Sequence, residues 1–234
     1  MEKHSSMHKL NLPIRIISVI TSNDYYDKTE LSLLRTLDKV NPLYGTYIIC
    51  PQKPATTSPN INVIEEKIDI NYSLWLLKRL NDYLDDGHLL VHQWDSCVID
   101  ETKWSNEFLN YDYIGALWAI DGNKLIGNGG FSLRSKKFLV NCTTIADSLP
   151  VGEFILGNED YHACHTAYNY MVKRGIQFPS FELARQFSVE RPTRFTPHNY
   201  NDLSTYKSFG FHGDFNTAGM EYINANQNQV NEKS

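Results

Sequence analysis

The regular pattern of the chain opens at Ile14-Arg15-Ile16-Ile17-Ser18-Val19-Ile20, a short β-branched run that predicts a buried strand. Thr21-Ser22-Asn23-Asp24 break it. From Lys28 the spacing changes: Leu31, Leu34, Leu37 and Val40 form a helical stripe, closed by Asn41-Pro42. Residues 47–50 are a second apolar run, 54–60 a loop and 61–64 a third candidate strand. Leu74, Leu77, Leu80 and Leu84 predict another helix, capped by Asn71 or Ser73 and stopped by Gly87. Residues 88–94 then read as a strand that ends on Asp95. Strands alternating with helices over short connections predict an α/β sheet covered by helices. In open sheets of this kind ligands lie beyond the carboxyl ends of the strands. Both Asp95 and the Thr21-Ser22-Asn23-Asp24 turn fall at such ends.

The second half is less regular. Residues 108–118 are aromatic-rich, Gly127-Asn128-Gly129-Gly130 is a glycine cluster, 131–133 a short extended segment and 135–147 a candidate helix. Residues 158–174 carry the strongest helical signals: Asn158 as cap, Glu159 and Asp160 in the first turn, Lys173 and Arg174 in the last, and Gly175 beyond. No repeat or linker composition divides the chain. It reads as a flexible leader over 1–13, one domain over 14–223 and a polar, Asn/Gln-rich tail over 224–234.

Composition narrows the classes. Of 234 residues, 41% are hydrophobic and 12% aromatic, enough for a core and against a wholly disordered chain. Lys and Arg number 22 against 27 Asp and Glu, a net charge of −5, which argues against nucleic acid or anionic lipid as main partner. The four cysteines, at 50, 97, 142 and 164, have neither the CxxC spacing of zinc and redox motifs nor a disulfide framework. The apolar run at residues 16–20 is too short for a transmembrane span or a signal-peptide core. A cytoplasmic, reducing-compartment protein is the expectation.

Four constellations could carry chemistry, and each also has an ordinary structural reading. In His92-Gln93-Trp94-Asp95-Ser96, strand alternation would put Gln93 and Asp95 on one side, where a carboxylate and an amide can hold a divalent cation and a ribose hydroxyl. The ordinary reading of the same Asp is a strand terminator that caps the next turn. Gly127-Asn128-Gly129-Gly130 lets backbone approach a ligand closely, or makes a tight turn; it is neither a Walker A sequence nor GxGxxG. Glu159 and Asp160 sit where a helix dipole would keep carboxylates ionised, as a general base must be, although acidic first turns are common. His212, in Phe209-Gly210-Phe211-His212-Gly213, would ride on flexible backbone able to fold over a ligand, or be structural. His162 and His165 share a helical face, but no third zinc ligand stands at recognisable spacing.

In this order the signals resemble the glycosyltransferases of the GT-A fold: a DxD-type motif after a nucleotide-binding half, a glycine-rich loop, an xED motif and a late metal-binding histidine. More closely, HQWDS, YDYIGALW, GNGGFSLRS, NED and FGFHG resemble a domain-of-unknown-function family grouped with glycosyltransferases, over roughly residues 14–215. The resemblance implies an α/β fold of GT-A type, a Rossmann-like nucleotide-binding sheet merged with an acceptor-binding half. It implies Asp95 and His212 as ligands of Mn²⁺ or Mg²⁺, with Gln93 in the place of the first acid of DxD. Thr21 and Ser22 would line the nucleotide site, Gly129 and Gly130 would approach donor or acceptor, and Arg134 would contact phosphate. Asp160 would be the base, supported by Glu159, in an inverting transfer. Trp94, Trp118 and Tyr113 would stack on sugars.

The implied substrates are a nucleotide-sugar donor, by default a UDP-sugar such as UDP-galactose, and a saccharide acceptor, lipid-linked if the product is a surface polysaccharide. Such an enzyme would work at the inner face of the membrane beside other polysaccharide-assembly enzymes. Two other classes compete. One is a non-catalytic sugar-nucleotide or carbohydrate-binding module on the same scaffold, kept open by Gln93. The other is a metal-dependent hydrolase built on His162 and His165.

Overall fold

The computed structural model describes residues 9–120, 123–148, 158–193 and 196–225. Six strands form the main sheet: β1 (Ile14–Val19), β2 (Thr46–Cys50), β3 (Asn62–Glu65), β4 (His88–His92), β5 (Tyr113–Ile114) and β6 (Phe131–Ser135). Their order is β3-β2-β1-β4-β6-β5. The first four run parallel, and β6 lies antiparallel between β4 and β5, with Phe131 opposite His92. Helix α1 (Tyr26–Lys39) joins β1 to β2, and α2 (Tyr72–Arg79) lies between β3 and β4. The first connection steps to one side of β1 and the second crosses back, so right-handed crossovers place α1 and α2 on opposite faces. Helix α3 (Lys136–Ser148) follows β6 and packs on α2. The strand direction therefore reverses beside β4, and the site lies at that reversal.

The elements of the first half follow the hydrophobic pattern, with one informative departure. The buried face of α1 is not the predicted leucine stripe: Leu31 and Leu34 are only half-buried, while Thr29, Ser32 and Thr36 are buried beside Leu33 and Leu37. The hydroxyls of Ser32 and Thr36 have partners, while that of Thr29 has none among the described residues. Thr36 Oγ1 lies 2.9 Å from His92 Nε2 and accepts the Val98 N–H at 3.1 Å, and the Ser32 hydroxyl donates to the Ser96 carbonyl. They tie the helix to the chain on either side of Asp95. Asn71, not Ser73, caps α2 by accepting from the Leu74 N–H at 3.2 Å.

Three expectations need correction. Residues 1–8 and 226–234 lie outside the described residues, but the leader does not extend to 13. Leu10–Leu12 pairs in parallel with Val40–Pro42, and the alternation of Leu10 and Leu12 around Asn11 buries Leu12 completely. The helix over 158–174 is broken into Glu159–Tyr161, a π turn at His162–Thr166 and Tyr168–Lys173. The extra residue of a π turn rotates the downstream face, so the single-helix reading fails past Tyr161. Finally, the segment around His212 is not a flexible loop. Gly210–His212 is the middle strand of a small sheet, parallel to Ser188–Val189 and antiparallel to Ser96–Val98. Phe211 is fully buried there, and a Cβ on Gly210 would stand 2.4 Å from the Phe131 ring, so the glycine serves close packing.

Candidate functional site

β4 stops at His92, so Gln93 and Asp95 are placed by a turn rather than by strand alternation. The Ser96 N–H donates to the Gln93 carbonyl at 3.1 Å and the Ser96 hydroxyl to the same oxygen at 2.8 Å. The small sheet then sets His212 opposite Ser96, and the Gly213 N–H donates to the Asp95 carbonyl at 2.9 Å. His212 Nε2 consequently lies 3.0 Å from Gln93 Oε1 and 3.4 Å from Asp95 Oδ1. The Gln93 amide nitrogen donates to the Tyr72 hydroxyl at 3.1 Å. On the other side of the ring, Nδ1 lies 2.9 Å from Asn128 Nδ2 and 3.8 Å from Glu190 Oε1. Burial opposes ionisation of Asp95, yet the adjoining His212 holds its carboxyl below the usual range. Burial equally opposes charge on His212, and Asp95, with weaker help from Glu190 and Asp160, outweighs it and raises the imidazole pKa.

The glycine cluster joins this group to the second pair of carboxylates. The Gln93 N–H donates to the Gly130 carbonyl at 2.9 Å, and the Gly129 N–H donates to Asp160 Oδ2 at 2.5 Å. Asp160 Oδ1 accepts the Tyr161 N–H at 2.7 Å. Glu159 turns the other way and takes an Arg134 nitrogen at 2.8 Å, the same nitrogen that reaches the Gly129 carbonyl at 3.1 Å. Two protein groups crowd the cluster. A Cβ on Gly129 would stand 2.2 Å from Glu159 Oε1, and one on Gly130 only 2.0 Å from His212 Nε2. The glycines are therefore needed first for the approach of Glu159 and His212. Gly130→Ala should displace the imidazole and lower stability by about 1–3 kcal/mol, as overpacking does. Urea unfolding checks this; an unchanged midpoint would mean that the ring moves freely.

Several expected roles do not fit this geometry. Arg134 is 1% exposed and its guanidinium is engaged with Glu159, Gly129 and Ser132, so it braces the loop instead of meeting phosphate. Tyr113 is fully buried, with its hydroxyl donating to the Asn128 carbonyl at 3.0 Å, and cannot stack on a sugar. Asp160 is not kept ionised by a helix end: burial, then the charge of Glu159, pushes its pKa up to about 7. His165 stacks on Tyr161, and among the described residues no group of three or more His, Cys, Asp or Glu could hold a metal, so the hydrolase constellation is not assembled.

The remaining aromatic and hydroxyl candidates are accessible. Trp94 is half-buried against Tyr25, with the Lys28 ammonium over its ring at 5.0 Å, and Trp118 is half-buried over Gly127. Thr21 is exposed where the chain leaves β1, and the Ser22 hydroxyl donates to Asp24 Oδ2 at 2.8 Å within its own turn. Three further residues join the site, two of them without a local signal for their role. Tyr72 and Glu190 arrive from distant segments. Asn128 has one cue, its place in the glycine cluster, where it adopts φ +66°, a left-handed conformation that Asn tolerates better than most residues.

A divalent cation fits the first group on one specific ground. Asp95 Oδ1 is buried and has no hydrogen-bond partner among the described residues, although it faces His212 Nε2. A carboxylate oxygen, an imidazole nitrogen and the Gln93 amide oxygen suit a hard cation whose other ligands come from a diphosphate or water.

No curated protein sequence matches this chain. Two solved structures share its fold at low identity. One is a glycosyltransferase involved in the glycosylation of the major capsid of PBCV-1, at 14% identity and TM-score 0.52, covering 92% of this chain and 98% of that one. The other is the apo-form glycosyltransferase GlyE of Streptococcus pneumoniae TIGR4, at 12% identity and TM-score 0.54, covering 95% of this chain and 64% of that one. Together they establish a mixed α/β fold of GT-A type. The family profile matches residues 58–212, which excludes the Thr21-Ser22 turn but takes in every other residue from Gln93 to His212 described above. By that match the chain belongs to DUF5672, a family of proteins of unknown function.

Proposed function

We propose that the protein is a glycosyltransferase that moves a sugar from a nucleotide-sugar, by default a UDP-sugar such as UDP-galactose, to a saccharide acceptor. The observation that carries this reading is the convergence of Gln93, Asp95 and His212 with Asp160 across Gly129 and Gly130, at the carboxyl edge of a GT-A sheet. Residues 10–223 act as one catalytic unit. Thr21, Ser22 and the Gln93 amide face the nucleoside, where an amide can serve a ribose hydroxyl as a carboxylate would. Asp95 and His212 hold Mn²⁺ or Mg²⁺, which when bound supplies positive charge against the leaving diphosphate. Asp160 removes the proton of the acceptor hydroxyl as the new glycosidic bond forms, and base and leaving group on opposite sides of the anomeric carbon give inversion. Glu159 and Arg134 keep Asp160 and Gly129 in place.

No described helix is long and apolar enough to cross a membrane. A lipid-linked acceptor and a place among polysaccharide-assembly enzymes at the cytoplasmic membrane face belong to this proposal. Its first test is calorimetric. Mn²⁺ should strengthen UDP binding at least tenfold, about 1.4 kcal/mol, and Asp95→Ala should remove most of that gain. Equal metal dependence in both proteins would sink the assignment. UDP-sugar binding with neither transfer nor hydrolysis would favour the binding-module reading.

A further inference from the structure

A second cavity, of about 560 Å³, opens between the end of the helix Phe181–Phe187, the strand Ser188–Val189 and the segment 196–207. That volume lies within the range of small-molecule sites. Its lining is charged one way. Arg185 and Lys207 face the cavity, and no carboxylate does. Neither cation forms an ion pair among the described residues; Lys207 Nζ donates once, to the Ser204 carbonyl at 2.6 Å. A neighbouring depression of about 360 Å³ shares Ser204 and Lys207 and adds a third cation, Lys103. The carboxylates of the flanking turns are engaged locally: Asp202 Oδ1 accepts the Ser204 N–H and Asp100 Oδ1 the Thr102 N–H, both at 3.0 Å. Unpaired cations grouped on one wall stand out in a chain of net charge −5.

This cavity and the group around His212 share a wall. Val189 lines the cavity, and the next residue, Glu190, brings Oε1 to 3.8 Å from His212 Nδ1. His198, also in the lining, lies 2.9 Å from Asn216 Oδ1. The Asn216 amide nitrogen donates to the carbonyls of Glu190 at 2.9 Å and His212 at 2.7 Å, and two carbonyls that can only accept fix its orientation. We propose that the cavity binds a saccharide carrying an anionic group, a phosphoryl or a carboxylate. Arg185 and Lys207 hold the anion, while Val189 and Pro197 offer apolar surface to the sugar. As a site for the acceptor it rests on the transferase reading, with the rest of the acceptor passing Glu190 toward Asp160.

The test compares glucose 6-phosphate, glucuronate and glucose as ligands of the full chain, with UDP and Mg²⁺ present so that a phosphoryl group does not occupy the donor site. At least one anionic sugar should bind about tenfold or more tightly than glucose, and the advantage should shrink as salt rises. Which of the two binds tighter separates phosphoryl from carboxylate. The Nε–Hε resonance of Arg185 should move with the anionic sugars and stay still with glucose. Arg185→Gln combined with Lys207→Gln should bring their affinity down to that of glucose and leave UDP affinity unchanged. Equal binding of all three sugars, or an unmoved Arg185 resonance, overturns the proposal even if the double variant fails to fold. So does wild-type binding of the anionic sugars in that variant. A parallel loss of UDP binding would assign the cations to the donor and overturn it as well. If anionic sugars bind here but no saccharide accepts a sugar from the donor, the transferase reading fails and the anion site stands.

Discussion

Arg134→Met is expected to lower the free energy of unfolding by about 3–5 kcal/mol, because it strips the partner from a buried carboxylate. Arg134 and Glu159 are 1% and 4% exposed and meet at 2.8 Å. The guanidinium also holds the Gly129 carbonyl at 3.1 Å and the Ser132 hydroxyl at 2.9 Å, and lies over the Tyr113 ring. Methionine fills similar space but leaves the Glu159 charge and the Gly129 carbonyl unpaired. Replacing both partners should be far milder, since an apolar pair avoids the desolvation of two charges. Arg134→Met with Glu159→Met should therefore recover most of the loss, a coupling that a double-mutant cycle in urea measures. A single-mutant loss below about 1 kcal/mol would show that the pair is not what holds the loop.

The sequence made the parallel half of the sheet legible because strands and helices there obey one period each, and Asn71, Gly87 and the β-branched run at Ile14 mark the boundaries. It failed where burial follows pairing instead of hydrophobicity. Thr29, Ser32 and Thr36 interrupt the leucine stripe of α1, and the hydrogen bonds of Ser32 and Thr36 tie that face inside. His212 looked loop-borne because two glycines flank it, yet Gly210 is demanded by the Phe131 ring and the segment pairs with Ser96–Val98, more than a hundred residues earlier. The motif order placed Asp95, the glycine cluster, Asp160 and His212 in one site. It could not tell Arg134 from a phosphate ligand, because an arginine beside a glycine loop looks the same whether its partner is substrate or Glu159. Tyr72 and Glu190 are legible only once distant segments meet.

Asp160→Asn should abolish sugar transfer, a loss on the order of 10²–10⁴ in rate, while donor binding stays within a few-fold. The amide keeps the size of the side chain but cannot take the proton of the acceptor hydroxyl. In the folded protein each Asp160 oxygen accepts one backbone N–H, from Gly129 and Tyr161, and each retains capacity for a further hydrogen bond. Burial and the neighbouring Glu159 push its pKa up to about 7, with Arg134 and these two N–H groups working against them. The activity sign follows. Below pH 7 the carboxyl is protonated and idle, so kcat/KM of the wild type should rise tenfold per pH unit there and level off above. The stability sign is opposite. A carboxyl whose pKa is about 7 folded and about 3.9 unfolded favours the folded state in acid, and that contribution fades as pH climbs from about 4 to 7. Asp160→Asn should therefore flatten both profiles while remaining folded. Glu159→Gln should be less damaging to the chemistry, because Glu159 faces Arg134, but it should shift the rise of kcat/KM to lower pH by removing the adjacent charge. Single-turnover transfer from labelled donor across pH, with the product anomer read by NMR, measures the chemistry, and urea unfolding across the same pH range measures the stability profile. Near-wild-type turnover in Asp160→Asn would put the base elsewhere, and a retained anomer would overturn the displacement while leaving the fold intact.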